Sequence, residues 1–86
     1  MPAKKEKKVL RYTAIFEPAE EGGYVVTIPA LPGCVTEGAS FEEAVKMAKD
    51  AIKCYCASLL KHGEPIPQEP ENEFIGTLEV PILMPA

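Results

Sequence analysis

The chain has 86 residues, 47% of them hydrophobic and 26% charged, with a formal net charge of −4 at pH 7. That size fits one small domain, and that balance excludes wholesale disorder. No apolar run approaches the roughly 18 residues of a membrane-spanning helix, and no apolar stretch follows the charged amino terminus as a secretory signal requires. A cytoplasmic protein is expected.

Charge is spread unevenly. Lys4, Lys5, Lys7, Lys8 and Arg11 supply five of the nine basic residues, whereas from Tyr12 onward four lysines face twelve acids. Residues 1–8 read as a flexible basic arm and 9–86 as a single domain. The acidic body repels nucleic acid and suits a basic protein partner.

Val9 to Glu17 alternates as a first strand, with Leu10, Tyr12, Ala14 and Phe16 on one face. Pro18 to Gly23 ends in two glycines and suits a hairpin. Tyr24 to Ile28 is a second strand that places Tyr24, Val26 and Ile28 together. Pro29-Ala30-Leu31-Pro32-Gly33 then forms a rigid elbow, because each proline fixes φ and removes an amide donor. Val35 to Glu37 leaves room for a short third strand.

The helix signal is the strongest in the chain. Ser40 with Glu43 makes a capping box, and Phe41, Ala44, Val45, Ala48, Ala51, Ile52, Tyr55 and Leu59 trace one apolar stripe. Gly63 is the expected stop, which predicts a helix over 41–61 of ~30 Å. Pro65, Pro67 and Pro70 stiffen the connector that follows. Phe74 to Val80 reads as a last strand, with Gly76 at a bulge. The expected fold class is therefore α+β, in β-β-β-α-β order, an antiparallel sheet with one long helix on one face. A sheet covered on one side invites a second copy, so a homodimer or homotetramer is expected, with Phe74, Ile75, Leu78 and Val80 as the oligomer interface.

Catalytic chemistry finds no support in the residues. The lone His62 sits at the helix end, where its charge complements the dipole. No phosphate loop or nucleophile motif occurs, and Glu17, Glu20, Glu21 and Glu37 are too loosely spaced for a metal nuclease. Cys34, Cys54 and Cys56 read as buried or half-buried free thiols, since 54 and 56 fall about 200° apart on a helix. No catalytic residue, cofactor or metal is expected.

Gly22-Gly23-Tyr24-Val25-Val26, Ile28-Pro29-Ala30-Leu31-Pro32-Gly33-Cys34-Val35-Thr36-Glu37-Gly38 and Phe41-Glu42-Glu43-Ala44, with Gly63-Glu64-Pro65-Ile66-Pro67 beyond, together resemble the HicB family of antitoxins. The likeness runs from about Tyr12 to Pro67. It implies a domain like a partial ribonuclease H fold without catalytic carboxylates, which neutralises HicA, a small basic toxin that cleaves messenger RNA. Alanine at position 30 stands where the family carries aspartate. The segment after Pro70 looks too short for the family's DNA-binding module, so direct DNA binding is not expected. The resemblance implies partner binding through Gly22, Gly23, Tyr24, Pro29, Leu31, Pro32, Gly33, Cys34 and Glu37. Two alternatives stay open: the elbow turns the chain without touching a partner, and the protein is an orphan self-assembling module without a toxin.

Overall fold

In a computed structural model, residues 8–70 and 72–85 are described; of the basic arm expected over 1–8, all but Lys8 lies outside them. Three strands, β1 (Ile15–Pro18), β2 (Tyr24–Thr27) and β3 (Val35–Gly38), precede one helix, α1 (Phe41–Lys61). The sheet order is β1-β2-β3, antiparallel throughout. The α+β class and the single long helix packed against the sheet are as the sequence predicts.

Strand lengths differ from expectation, and the elbow explains why. β2 pairs Thr27 with Ile15 on one side and Val35 on the other. Beyond Thr27 the chain folds into two successive β-turns: the Leu31 amide donates to the Ile28 carbonyl, and the Cys34 amide to the Leu31 carbonyl, at 3.0 and 2.9 Å. Each turn carries proline at its second position, and Gly33, at φ +80°, supplies the left-handed third position of a type II turn. With β2 ended there, residues 9–14 find no partner strand, so the first strand begins at Ile15 rather than Val9. Val9 is accordingly exposed.

The helix boundaries match expectation at both ends. Ser40 Oγ accepts from the Glu43 amide at 3.1 Å. At the other end the Gly63 amide donates to Leu60 and the Glu64 amide to Leu59, with Gly63 at φ +69°. That pair of bonds is a Schellman motif, which only a residue tolerant of positive φ completes without strain.

The core lies between α1 and one face of the sheet. Val26, Ile28, Leu31, Cys34, Ala44 and Ala48 are buried, with Tyr12, Ala14, Phe16, Tyr24, Ala51, Ile52, Tyr55 and Cys56 packed around them. Small residues at 44 and 48 let the helix approach closely. Gly38 does the same from the sheet, since a Cβ there would run into the backbone of Glu43 and Ala44. The opposite face is formed by the rows Ile15–Thr27–Val35 and Glu17–Val25–Glu37 and has no helix over it.

After α1 the proline-rich connector returns to the start of the sheet. Tyr12 donates its hydroxyl to the Pro67 carbonyl at 2.6 Å, and the Glu69 carboxylate accepts from the Thr13 amide at 2.6 Å and its hydroxyl at 2.8 Å. The strand expected at Phe74–Val80 is not paired: residues 73–85 carry no ladder, and Phe74 is 98% exposed. Once past the Glu69 clamp the segment leaves the sheet, and an extended chain without a neighbouring strand has nothing to bond its amides.

Candidate protein-binding surface

The antiparallel register sorts the candidate residues into two groups at opposite ends of β2. Gly22 and Gly23 close the β1–β2 hairpin, where the Gly22 amide donates to the Ala19 carbonyl and the Ala19 amide to the Gly23 carbonyl, both at 3.0 Å. Gly23 combines φ +77° with close contact, because a Cβ there would press on the Gly38 carbonyl oxygen. Tyr24 and Glu37 adjoin this end through the pairs Tyr24–Gly38 and Val25–Glu37. The elbow, residues 29–34, lies at the other end, separated by four residues of strand, about 13 Å.

Within the elbow the turns place every third residue inside. Ile28, Leu31 and Cys34 are 1%, 0% and 6% exposed, whereas Pro29, Pro32 and Gly33 face solvent. Leu31 and Cys34 therefore support the elbow from within. Tyr55 of α1 donates its hydroxyl to the Pro32 carbonyl at 2.9 Å, which ties the elbow to the helix. Burial, together with the charge of Cys56 nearby, pushes the Cys34 thiol above its ordinary pKa, so Cys34 is held neutral. Cys54 is exposed, where a half-buried thiol was expected, because its position turns away from the sheet.

The hairpin end gathers more than the sequence pattern indicates. From Tyr12 to Val45 there is no lysine or arginine, yet Glu17, Glu20, Glu21, Glu37, Glu42 and Glu43 all occur. The hairpin loop, the start of the Glu17–Val25–Glu37 row and the first turn of α1 share this end, so all six carboxylates lie towards it, exposed, with Glu17 and Glu37 on the uncovered face and Glu42 and Glu43 on the helix side. Glu42 and Glu43 also complement the positive end of the helix dipole. Beside them Phe41 packs against Phe16, ring centroids 4.9 Å apart, and meets Tyr24 edge-on at 5.8 Å. Phe41 remains 53% exposed. An aromatic cluster of Phe16, Tyr24 and Phe41 thus stands at the end of the molecule that also carries the hairpin loop and the first turn of the helix. The sequence shows the run of 34 residues without lysine or arginine, but only the strand register brings its carboxylates to one end.

Chemistry of another kind is not assembled here. Among the described residues no group of three or more His, Cys, Asp or Glu converges on a metal-sized site. His62 uses Nδ1 to donate to the Ser58 carbonyl at 2.8 Å, a contact within its own helix end. Tyr12, with its phenol pushed up to about 12 by burial and by its contact with Cys56, belongs to the connector clamp. Among the described residues no helix is long and apolar enough to cross a membrane.

The structure thus combines a half-covered sheet, a braced elbow and an acidic aromatic end in one small α+β module. Residues 12–77 match the family described as HicB-like antitoxin of bacterial toxin-antitoxin systems, and the chain belongs to that family. It is 47% identical over 65 residues to a UPF0150 protein of Thermoplasma acidophilum, covering 76% of this chain and 94% of that protein. It is 42% identical over 60 residues to Antitoxin HicB 1 of Photorhabdus laumondii, covering 70% of this chain and 39% of the relative. With Antitoxin HicB of Escherichia coli K12 it shares 35% identity over 74 residues, 85% of this chain and 54% of the relative. Against both HicB proteins the chain thus spans only about half of their length or less.

Proposed function

We propose that this chain is an antitoxin that binds a small, basic, HicA-type messenger-RNA-cleaving toxin in the cytoplasm and occludes its RNA cleft. The observation that carries the reading is the acidic end around Phe41 and Tyr24, built from a run, Tyr12 to Val45, that holds six glutamates and no lysine or arginine. A protein surface that binds RNA is rich in lysine and arginine, and clustered carboxylates mimic the phosphate charge such a cleft attracts. Gly22, Gly23, Tyr24 and Glu37 form the primary contact. Pro29, Pro32 and Gly33 offer a second contact at the elbow, with Leu31 and Cys34 holding its shape. Family membership supports the toxin-antitoxin role.

The test is co-expression of the full chain with the small basic protein encoded beside its gene. The partner is expected to co-purify, and its cleavage of RNA to stop on adding the antitoxin. Absence of both capture and inhibition would rule out this reading. A second reading, a self-assembling module without a toxin, draws on the apolar side chains exposed after Pro70. Self-association of the pure chain with no capture of a basic neighbour would favour it.

A further inference from the structure

Among the described residues of the sheet and the helix, Phe41 is the one aromatic left exposed, at 53%; Phe16, Tyr24 and Tyr55 are half-buried. The helix start does not require it. Ser40 supplies the cap, the first buried helix position is Ala44, and phenylalanine is only a modest helix former. The ring is nonetheless held firmly. Phe16, at 4.9 Å, and Tyr24, edge-on at 5.8 Å, brace it from the sheet side and leave its outer side bare. A ring fixed in this way loses little side-chain freedom when a partner covers it. It also has no cation of its own beside it. Its neighbours on the helix surface, three and four residues on, are Ala44 and Val45, and the first lysine of the helix, Lys46, lies about 140° round the axis.

We infer that Phe41 is the anchor of the toxin contact, and that its bare ring takes an arginine side chain of the basic partner. The inference deepens the proposed antitoxin role and rests on it. A guanidinium stacks flat on an aromatic face and is drawn to the negative charge of the ring's π-system, more strongly once water is excluded. Proteins that hold single-stranded RNA use arginine planes in the same way, to stack the bases. Phe41 therefore occupies the place of a base, while Glu42 and Glu43, next in the chain and exposed, offer carboxylates in the role of the phosphates. A purely apolar partner is a poorer fit, because it would cover the ring while drawing those two carboxylates out of water without a counter-charge. An anchor of this kind acts after encounter and is felt in the dissociation rate, whereas long-range charge governs encounter itself.

Binding kinetics of the full chain with the small basic protein encoded beside its gene test it, on the wild type, Phe41→Leu and Phe41→Tyr, with folding checked by circular dichroism and urea unfolding. Leucine keeps an apolar cover over Phe16 and Tyr24 but has no ring. The dissociation rate should therefore rise at least about fivefold, with the association rate and its salt dependence little changed. Tyrosine keeps the ring and should stay within about twofold of the wild type. Capture by the wild type that Phe41→Leu leaves intact would overturn the anchor while the antitoxin reading stands. Equal losses from leucine and tyrosine would overturn the stacked contact. Failure of the wild type to capture the protein would overturn the antitoxin reading and the anchor with it.

Discussion

Tyr12 joins three parts of the molecule through one hydroxyl, which donates to the Pro67 carbonyl and lies 3.9 Å from Cys56 Sγ. Its phenol, ordinarily near 10, is pushed up to about 12, first by burial and then by Cys56. Folding therefore favours the protonated phenol. That contribution is complete below pH 10, the unfolded value, and is lost as pH rises through about 12. Urea midpoints should fall more steeply between pH 10 and pH 12 in the wild type than in Tyr12→Phe, which should also lose the absorbance step near 12. An identical pH slope in the two proteins would show that Tyr12 carries no such linkage. Sequence marks Tyr12 as a face residue of a first strand; its partner Pro67 is 55 residues away, which no local pattern reports.

Helix α1 illustrates an element whose limits are legible because every signal is local. Ser40, three residues before Glu43, caps a free amide, and Gly63 completes the carboxyl end. Ser40→Ala should lower the unfolding free energy by about 1 kcal/mol, and Ser40→Gly by only a few tenths, because glycine leaves the amide open to water. Equal losses, measured by urea denaturation, would place the role of Ser40 elsewhere than in capping. The strands were less legible. Alternation alone extends the first strand back to Val9, whereas its length is set by β2, and β2 is cut by the turn at Ile28–Leu31. The elbow's proline and glycine positions announce a turn, but only its hydrogen bonds reveal that Leu31 and Cys34 point inward. A candidate contact residue and a core residue look alike until the turn type is known.

At the scale of the whole molecule, the two ends of the sheet carry different surfaces, one acidic and aromatic, the other the braced elbow. On the proposed reading the acidic surface attracts a basic toxin at a distance, so the association rate should fall at least about tenfold between 0.1 and 1 M salt, as the screening length drops from about 10 to about 3 Å. The double variant Glu20→Lys/Glu37→Lys should bind more weakly in 0.1 M salt and flatten that dependence, with the helix signal unchanged. Stopped-flow mixing with the toxin would measure both, and a rate indifferent to salt would place the grip on the elbow instead.

Local chemistry in the sequence was enough to determine the α+β class, the full extent of α1, the hairpin and the elbow, because caps, positive-φ glycines and prolines act within a few residues of themselves. Tertiary structure alone decided where β1 begins, which elbow residues are core, that Glu69 clamps Thr13, and that the six carboxylates share an end. Those outcomes depend on contacts between residues far apart in the chain, whose spacing is set by register and not by neighbouring side chains.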